Sequence, residues 1–95
     1  KARYIVTYDI SDPRRLRRVF KTMMGAGDHL QLSVFRCDLT DRQKEKLVSS
    51  LGEIIKPSED QVLLIELGPS DGHVAERICA LGRAYSEARQ AALVV

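Results

Sequence analysis

Apolar residues in the first ten positions occupy both sides of an extended segment. Residues 3–10, Arg-Tyr-Ile-Val-Thr-Tyr-Asp-Ile, are rich in β-branched and aromatic types and read as a strand. Tyr4, Val6 and Tyr8 share one face, and Ile5, Thr7 and Asp9 the other. Both faces are substantially apolar, so both should be covered. The period then changes. Leu16, Val19, Phe20, Met23 and Met24 fall at i, i+3, i+4, i+7 and i+8, which predicts an amphipathic helix. Ser11 or Asp12 supplies its cap, Pro13 suits its first turn, and Gly25 and Gly27 end it. Residues 29–39 return to an extended pattern, with Leu30, Leu32 and Val34 on one face and Ser33, Phe35 and Cys37 on the other. No Gly or Pro marks a break near 31–33, so one bent strand and two short strands both stay open. Thr40 and Gln43 have capping-box spacing. The helix they open should bury Leu47, Val48, Leu51, Ile54 and Ile55 and stop before Pro57. Residues 61–67 read as a strongly apolar strand closed by Gly68-Pro69. Beyond it the period does not decide. Residues 74–81 fit either a helix stripe or a strand ending at Gly82, and Leu93-Val94-Val95 fits a short terminal strand.

Strand, helix, extended stretch, helix, strand and tail make an α+β sandwich with two helices on one sheet face, a ferredoxin-like arrangement. The other sheet face would stay open, and an open apolar face invites a second subunit. At 95 residues the chain is one domain, 1–95, divided into a core of 1–82 and a dimerisation tail of 83–95. Apolar residues make up 44% and charged residues 29%, which excludes disorder by composition. No apolar run approaches the roughly 18–20 residues of a membrane span, and no signal peptide is visible, so no membrane partner is expected. Cys37 and Cys79 have no CxxC spacing and no partner His, which argues against a disulfide scaffold or a structural zinc site. A reducing, cytoplasmic setting is expected.

Charge is uneven along the chain. Residues 1–37 carry 8 Lys/Arg against 3 Asp/Glu, and the excess gathers in Arg14, Arg15, Arg17, Arg18 and Lys21. Such a patch reads as a phosphate-binding surface, with a merely solvated helix face as the competing reading. Asp9 stands at a strand end just before this basic helix. Its carboxylate could hold a divalent cation while the helix N-terminus, Arg14 and Arg15 hold phosphate, or it could cap the following turn. Asp12 either supports Asp9 or caps the helix. His29 and His73 read as solvated surface residues, and Cys37 as a small buried one.

The pattern Tyr8-Asp9-Ile10-Ser11-Asp12, then Arg15, Arg17, Arg18 and Val19, then Gln31-Leu32-Ser33-Val34-Phe35-Arg36-Cys37, resembles the CRISPR-associated protein 2 family. That family is the small subunit of the spacer-acquisition machinery. The resemblance runs through nearly the whole chain, including Leu81-Gly82 and a terminal apolar strand. It implies a ferredoxin-like βαββαβ subunit, a homodimer, and an extra C-terminal strand added to the partner's sheet. It also implies a magnesium-dependent endonuclease (an endoribonuclease on single-stranded RNA in some members, a nuclease on duplex DNA in others) and an adaptor between two dimers of the integrase subunit. On this resemblance Asp9 is the metal-binding and catalytic aspartate, one from each subunit near the dimer axis. Ser33 and Phe35 match the motif after the first helix, with Tyr8 supporting, and Arg18 matches a basic position of the family. The chemistry is thin, because no second group is an obvious general base. Four readings follow. They are a metal-dependent phosphodiesterase working through Asp9, a non-catalytic dimeric adaptor, a small ferredoxin-like toxin ribonuclease, and a ligand-binding regulatory domain. The basic helix start argues against the last.

Overall fold

The alternation at the start of the chain becomes β1 (Ala2–Asp9), whose Tyr4, Val6 and Tyr8 are buried beneath two helices. The computed structural model describes residues 1–70 and 78–85. In chain order, β1 is followed by α1 (Pro13–Met24), β2 (Asp28–Gln31), β3 (Val34–Leu39), α2 (Asp41–Ile54) and β4 (Gln61–Pro69). The strands form one antiparallel sheet in the order β2-β3-β1-β4, so the βαββαβ ferredoxin-like expectation holds. Register places Tyr4 opposite Cys37 and Val6 opposite Phe35 on one side of β1, and Val6 opposite Leu64 on the other. The core lies between this face and the helices, with Val19 and Met23 from α1 and Leu47 and Leu51 from α2.

Local chemistry sets the helix ends. Asp12, not Ser11, caps α1, its carboxylate accepting the amides of Arg14 and Arg15 at 3.0 and 3.0 Å. Thr40 and Gln43 form the reciprocal capping box of α2, at 3.1 and 2.9 Å. Val48 does not join the core as expected but is 46% exposed. It sits about 100° around the helix from Leu47, beyond the edge of the contact with the sheet.

Residues 29–39 resolve into two strands, joined by Leu32-Ser33. Two-residue hairpins need positive φ, which Gly or Asn usually supplies. Here Leu32 takes it, at φ 28. Leu32 therefore leaves the face it was expected to share with Leu30 and Val34 and stands in solvent, 88% exposed.

The second sheet face carries Ile5 from β1 and Leu63, Ile65 and Leu67 from β4; the three β4 residues are 45%, 47% and 59% exposed. Among the described residues this face is not covered as its apolar pattern demands. Two ion pairs edge it, Arg3 with Asp38 (Nε to Oδ1 2.9 Å) and Arg36 with Asp28. The expectations for residues 74–81, His73 and the exchanged terminal strand fall wholly or mostly outside the described residues. No helix among the described residues is long and apolar enough to cross a membrane.

Candidate active-site cleft

β1 runs out at Asp9, where the chain turns through Ile10 and Ser11 into α1. The end of β1, the inner side of α1 and the β2–β3 hairpin leave a cleft of about 430 Å³ between them. Tyr8, Asp9 and Ile10 line it from β1, Leu16 and Phe20 from α1, and His29, Leu32 and Ser33 from the hairpin. The Tyr8 amide donates to the Ser33 carbonyl at 3.2 Å, docking the hairpin beside β1. The fold thus brings together Asp9, Tyr8 and Ser33, which the sequence places 25 positions apart at most.

Each residue plays a distinct part. Asp9 is exposed and makes no hydrogen bond or ion pair with any described residue. Its carboxylate is the cleft's only acid among the described residues. Burial pushes the Tyr8 phenol up to about 12, so its hydroxyl keeps its proton at neutral pH. Phe35 is fully buried behind the cleft lining, its ring 4.8 Å from His29, 5.8 Å from Phe20 and 6.2 Å from Tyr8. Cys37 lies deeper still, and burial pushes its thiol up to about 11, which makes it inert at neutral pH.

His29 corrects the sequence reading. It is not a solvated residue but is buried, stacked on Phe35 and edge-on to Phe20. Its Nε2 lies 2.8 Å from the Leu32 carbonyl oxygen. A carbonyl only accepts, so Nε2 carries the proton. Nδ1 is buried with no hydrogen-bond partner among the described residues. A signal for this did exist, since counting back by twos from Cys37 and Phe35 puts His29 on the core face, and the structure pairs His29 with Phe35.

The basic helix divides into two kinds of arginine. Arg14, Arg17 and Arg18 are exposed and have no ion pair among the described residues. Arg15 is committed elsewhere. Its Nε donates to Asp60 at 2.7 Å and its Nη2 to Glu59 at 3.0 Å. The helix amides expected to meet phosphate are taken by Asp12, and their hydrogen bonds, that of Arg15 foremost, hold the Asp12 carboxyl below its usual range. The arginines of α1 left exposed and unpaired among the described residues are therefore Arg14, Arg17 and Arg18. Among the described residues no group of three or more His, Cys, Asp or Glu converges as a ready metal cage.

Comparison with known proteins bears on the fold and the family of the chain. The family model described as CRISPR associated protein Cas2 matches residues 2–72. The chain is 41% identical over 92 residues to the CRISPR-associated endoribonuclease Cas2 of Geobacter sulfurreducens, covering 97% of this chain and 96% of that one. It is 40% identical to CRISPR-associated endoribonuclease Cas2 1 of Rhodospirillum rubrum, covering 97% of this chain and 89% of its relative. The crystal structure of Streptococcus pyogenes Cas2 at pH 6.5 superposes with a TM-score of 0.70 at 28% identity, over 84% of this chain and 99% of the other. A hypothetical protein of Thermus thermophilus, TT1823, gives 0.73 at 28% identity, over 90% and 96% of the two chains. A family model matching residues 2–72, a likeness that spans almost the full length and a shared fold coincide, and the chain belongs to the CRISPR-associated protein Cas2 family.

Proposed function

We propose that this chain is a metal-dependent endoribonuclease of CRISPR spacer acquisition, working as a cytoplasmic homodimer. The observation that carries this reading is the exposed, unpaired carboxylate of Asp9 at the mouth of the cleft. The names of the Geobacter and Rhodospirillum relatives support RNA as substrate. A hard oxygen donor with no competing cation suits Mg²⁺, which binds through one or two carboxylates and fills its remaining positions with water and substrate phosphate. Asp9 and its symmetry mate would hold the ion. When bound, it supplies polarisation of the phosphate and a lowered pKa for bound water. The chain's own groups do the rest. Arg14, Arg17 and Arg18 hold flanking phosphates, the Ser33 hydroxyl donates to a polar edge of the substrate, and Tyr8 stays protonated and serves as wall. The uncovered sheet face, with Ile5, Leu63, Ile65 and Leu67, supports pairing of two subunits.

One observation favours a second reading, a non-catalytic dimeric adaptor that positions duplex DNA and the integrase subunit. The cleft offers no exposed general base besides Asp9 among its described residues, because the basic nitrogen of His29, Nδ1, is buried. Cleavage of labelled single-stranded RNA and of duplex DNA, each with and without Mg²⁺, separates the two. As an endonuclease, the protein loses about a hundredfold in rate on Asp9→Asn, a cost typical of removing one electrostatic stabiliser. Its melting temperature and its binding of nucleic acid stay unchanged. Mg²⁺-dependent cleavage that persists in Asp9→Asn removes Asp9 from the mechanism. Tight duplex binding with no cleavage in the wild type selects the adaptor.

A further inference from the structure

A surface built only to hold phosphates and a cation should be polar, yet the cleft beside Asp9 is mostly apolar. Leu16 from α1 and Leu32 from the hairpin both line it, 40% and 88% exposed, together with the rings of Tyr8, Phe20 and His29. Asp9 and Ser33 are its polar points. Leu32 is held there against two preferences. A large apolar side chain is kept in water, and its backbone takes φ 28, in the left-handed region that costs a residue with a Cβ. Among the described residues it is the one non-glycine in that region. The bond from His29 Nε2–H to the Leu32 carbonyl ties down the strained turn. His29 in turn is fixed by the rings of Phe35 and Phe20, and leaves Nδ1 without a partner among the described residues. Strain, exposure and an unsatisfied buried nitrogen converge on one turn at the edge of one cleft.

We propose that this cleft is a subsite for one unpaired nucleobase, seated between Leu16 and Leu32, and that His29 is the positioning residue for the Leu32 wall. A base offers two apolar faces and a polar rim, which matches apolar walls with the Ser33 hydroxyl at one end. The volume, about 430 Å³, falls in the usual range for small-ligand sites of roughly 300–1,000 Å³. Bases in a duplex are paired and stacked, so only an unpaired nucleotide can enter. The inference rests on the endonuclease reading only for which phosphate is cut.

The test uses the full-length protein and a short single-stranded RNA, with binding measured in the absence of divalent cation and cleavage measured separately with Mg²⁺. A single abasic nucleotide is moved along the RNA. Binding should weaken about tenfold at one position and little elsewhere, as expected for losing one stacked base. Leu32→Ala should weaken binding by a similar factor, remove the abasic penalty, and affect duplex DNA less. His29→Phe should raise KM for RNA about tenfold with little change in kcat. His29→Gln, which keeps an N–H within reach of the Leu32 carbonyl, should restore it. A flat abasic scan, or a Leu32→Ala protein that keeps the abasic penalty, overturns the subsite whether or not RNA is cleaved. Base-dependent binding without Mg²⁺-dependent cleavage keeps the subsite and overturns the endonuclease reading. If Leu32→Ala alters the sedimentation of the protein but not its RNA binding, Leu32 is a protein contact and the proposal fails.

Discussion

Asp60 has no exposed side-chain surface and accepts from Arg15 Nε and Nη2, from the Ser11 amide and hydroxyl, and from the Lys56 amide. Charge-assisted bonds of this kind stabilise the carboxylate over the acid, and the hydrogen bond from Arg15 is the largest cause holding it well below the usual range. The sign of the pH effect follows. A depressed acid contributes stability that is fully present above its unfolded pKa of 3.8 and lost as pH falls toward its folded value. The melting temperature should therefore hold down to about pH 4 as far as Asp60 is concerned, then fall. In Asp60→Asn the acid-side fall should shrink, from a lower starting point at neutral pH. The same geometry separates two neighbouring arginines. Arg15→Ala should lower the melting temperature by several degrees and leave the salt dependence of duplex binding nearly intact. Arg14→Ala should leave melting unchanged and flatten the slope of log affinity against log salt by about 0.9, the share of one phosphate. The two residues look alike in the sequence because the partner that distinguishes them is 45 positions away. The place of Asp9, an exposed acid closing an apolar strand before a basic helix, was legible from local facts alone. The burial of His29 could be counted back from Phe35, but its bond to Leu32 and its packing against Phe20 could not, since they depend on a turn and a helix outside its own strand.

At the level of elements, α1 and α2 could be read off the chain because their stripes and caps are local. The β2–β3 hairpin could not, because its turn uses Leu32 where a glycine would have announced it. The approach to that hairpin depends on a residue with no side chain. A Cβ on Gly27 would collide with the Arg36 carbonyl oxygen and the Cys37 Sγ. Backbone cannot swing aside as a flexible side chain does, so Gly27→Ala should cost about 3 kcal/mol through overpacking. Gly52, inside α2, is the contrasting case, with nothing within 4 Å of a Cβ. Gly52→Ala should stabilise by up to ~1 kcal/mol, the helix-propensity difference. Denaturant midpoints of the two variants, at unchanged slope, check both values.

For the whole molecule, the sequence announced that both faces of β1 want cover, and among the described residues the β4 side of the second face keeps Leu63, Ile65 and Leu67 exposed. Ile65 lies at the middle of that uncovered face, opposite Ile5. Ile65→Asp would place an unpaired charge in any apolar contact made there and should weaken self-association at least about a hundredfold. Val48→Asp, on the exposed side of α2, should leave it unchanged. Sedimentation at several concentrations distinguishes the two. Pairing of copies on this face, as proposed, would make durability a property of the population and not of the single chain. Whatever settles on it binds the folded form alone, so the folding equilibrium shifts by mass action, gaining about 1.4 kcal/mol for each tenfold excess of partner over its dissociation constant. Below some level of expression the subunits would remain solitary, open more often and be cleared by proteases. Above it they would protect one another, and the gene's dosage would set a threshold.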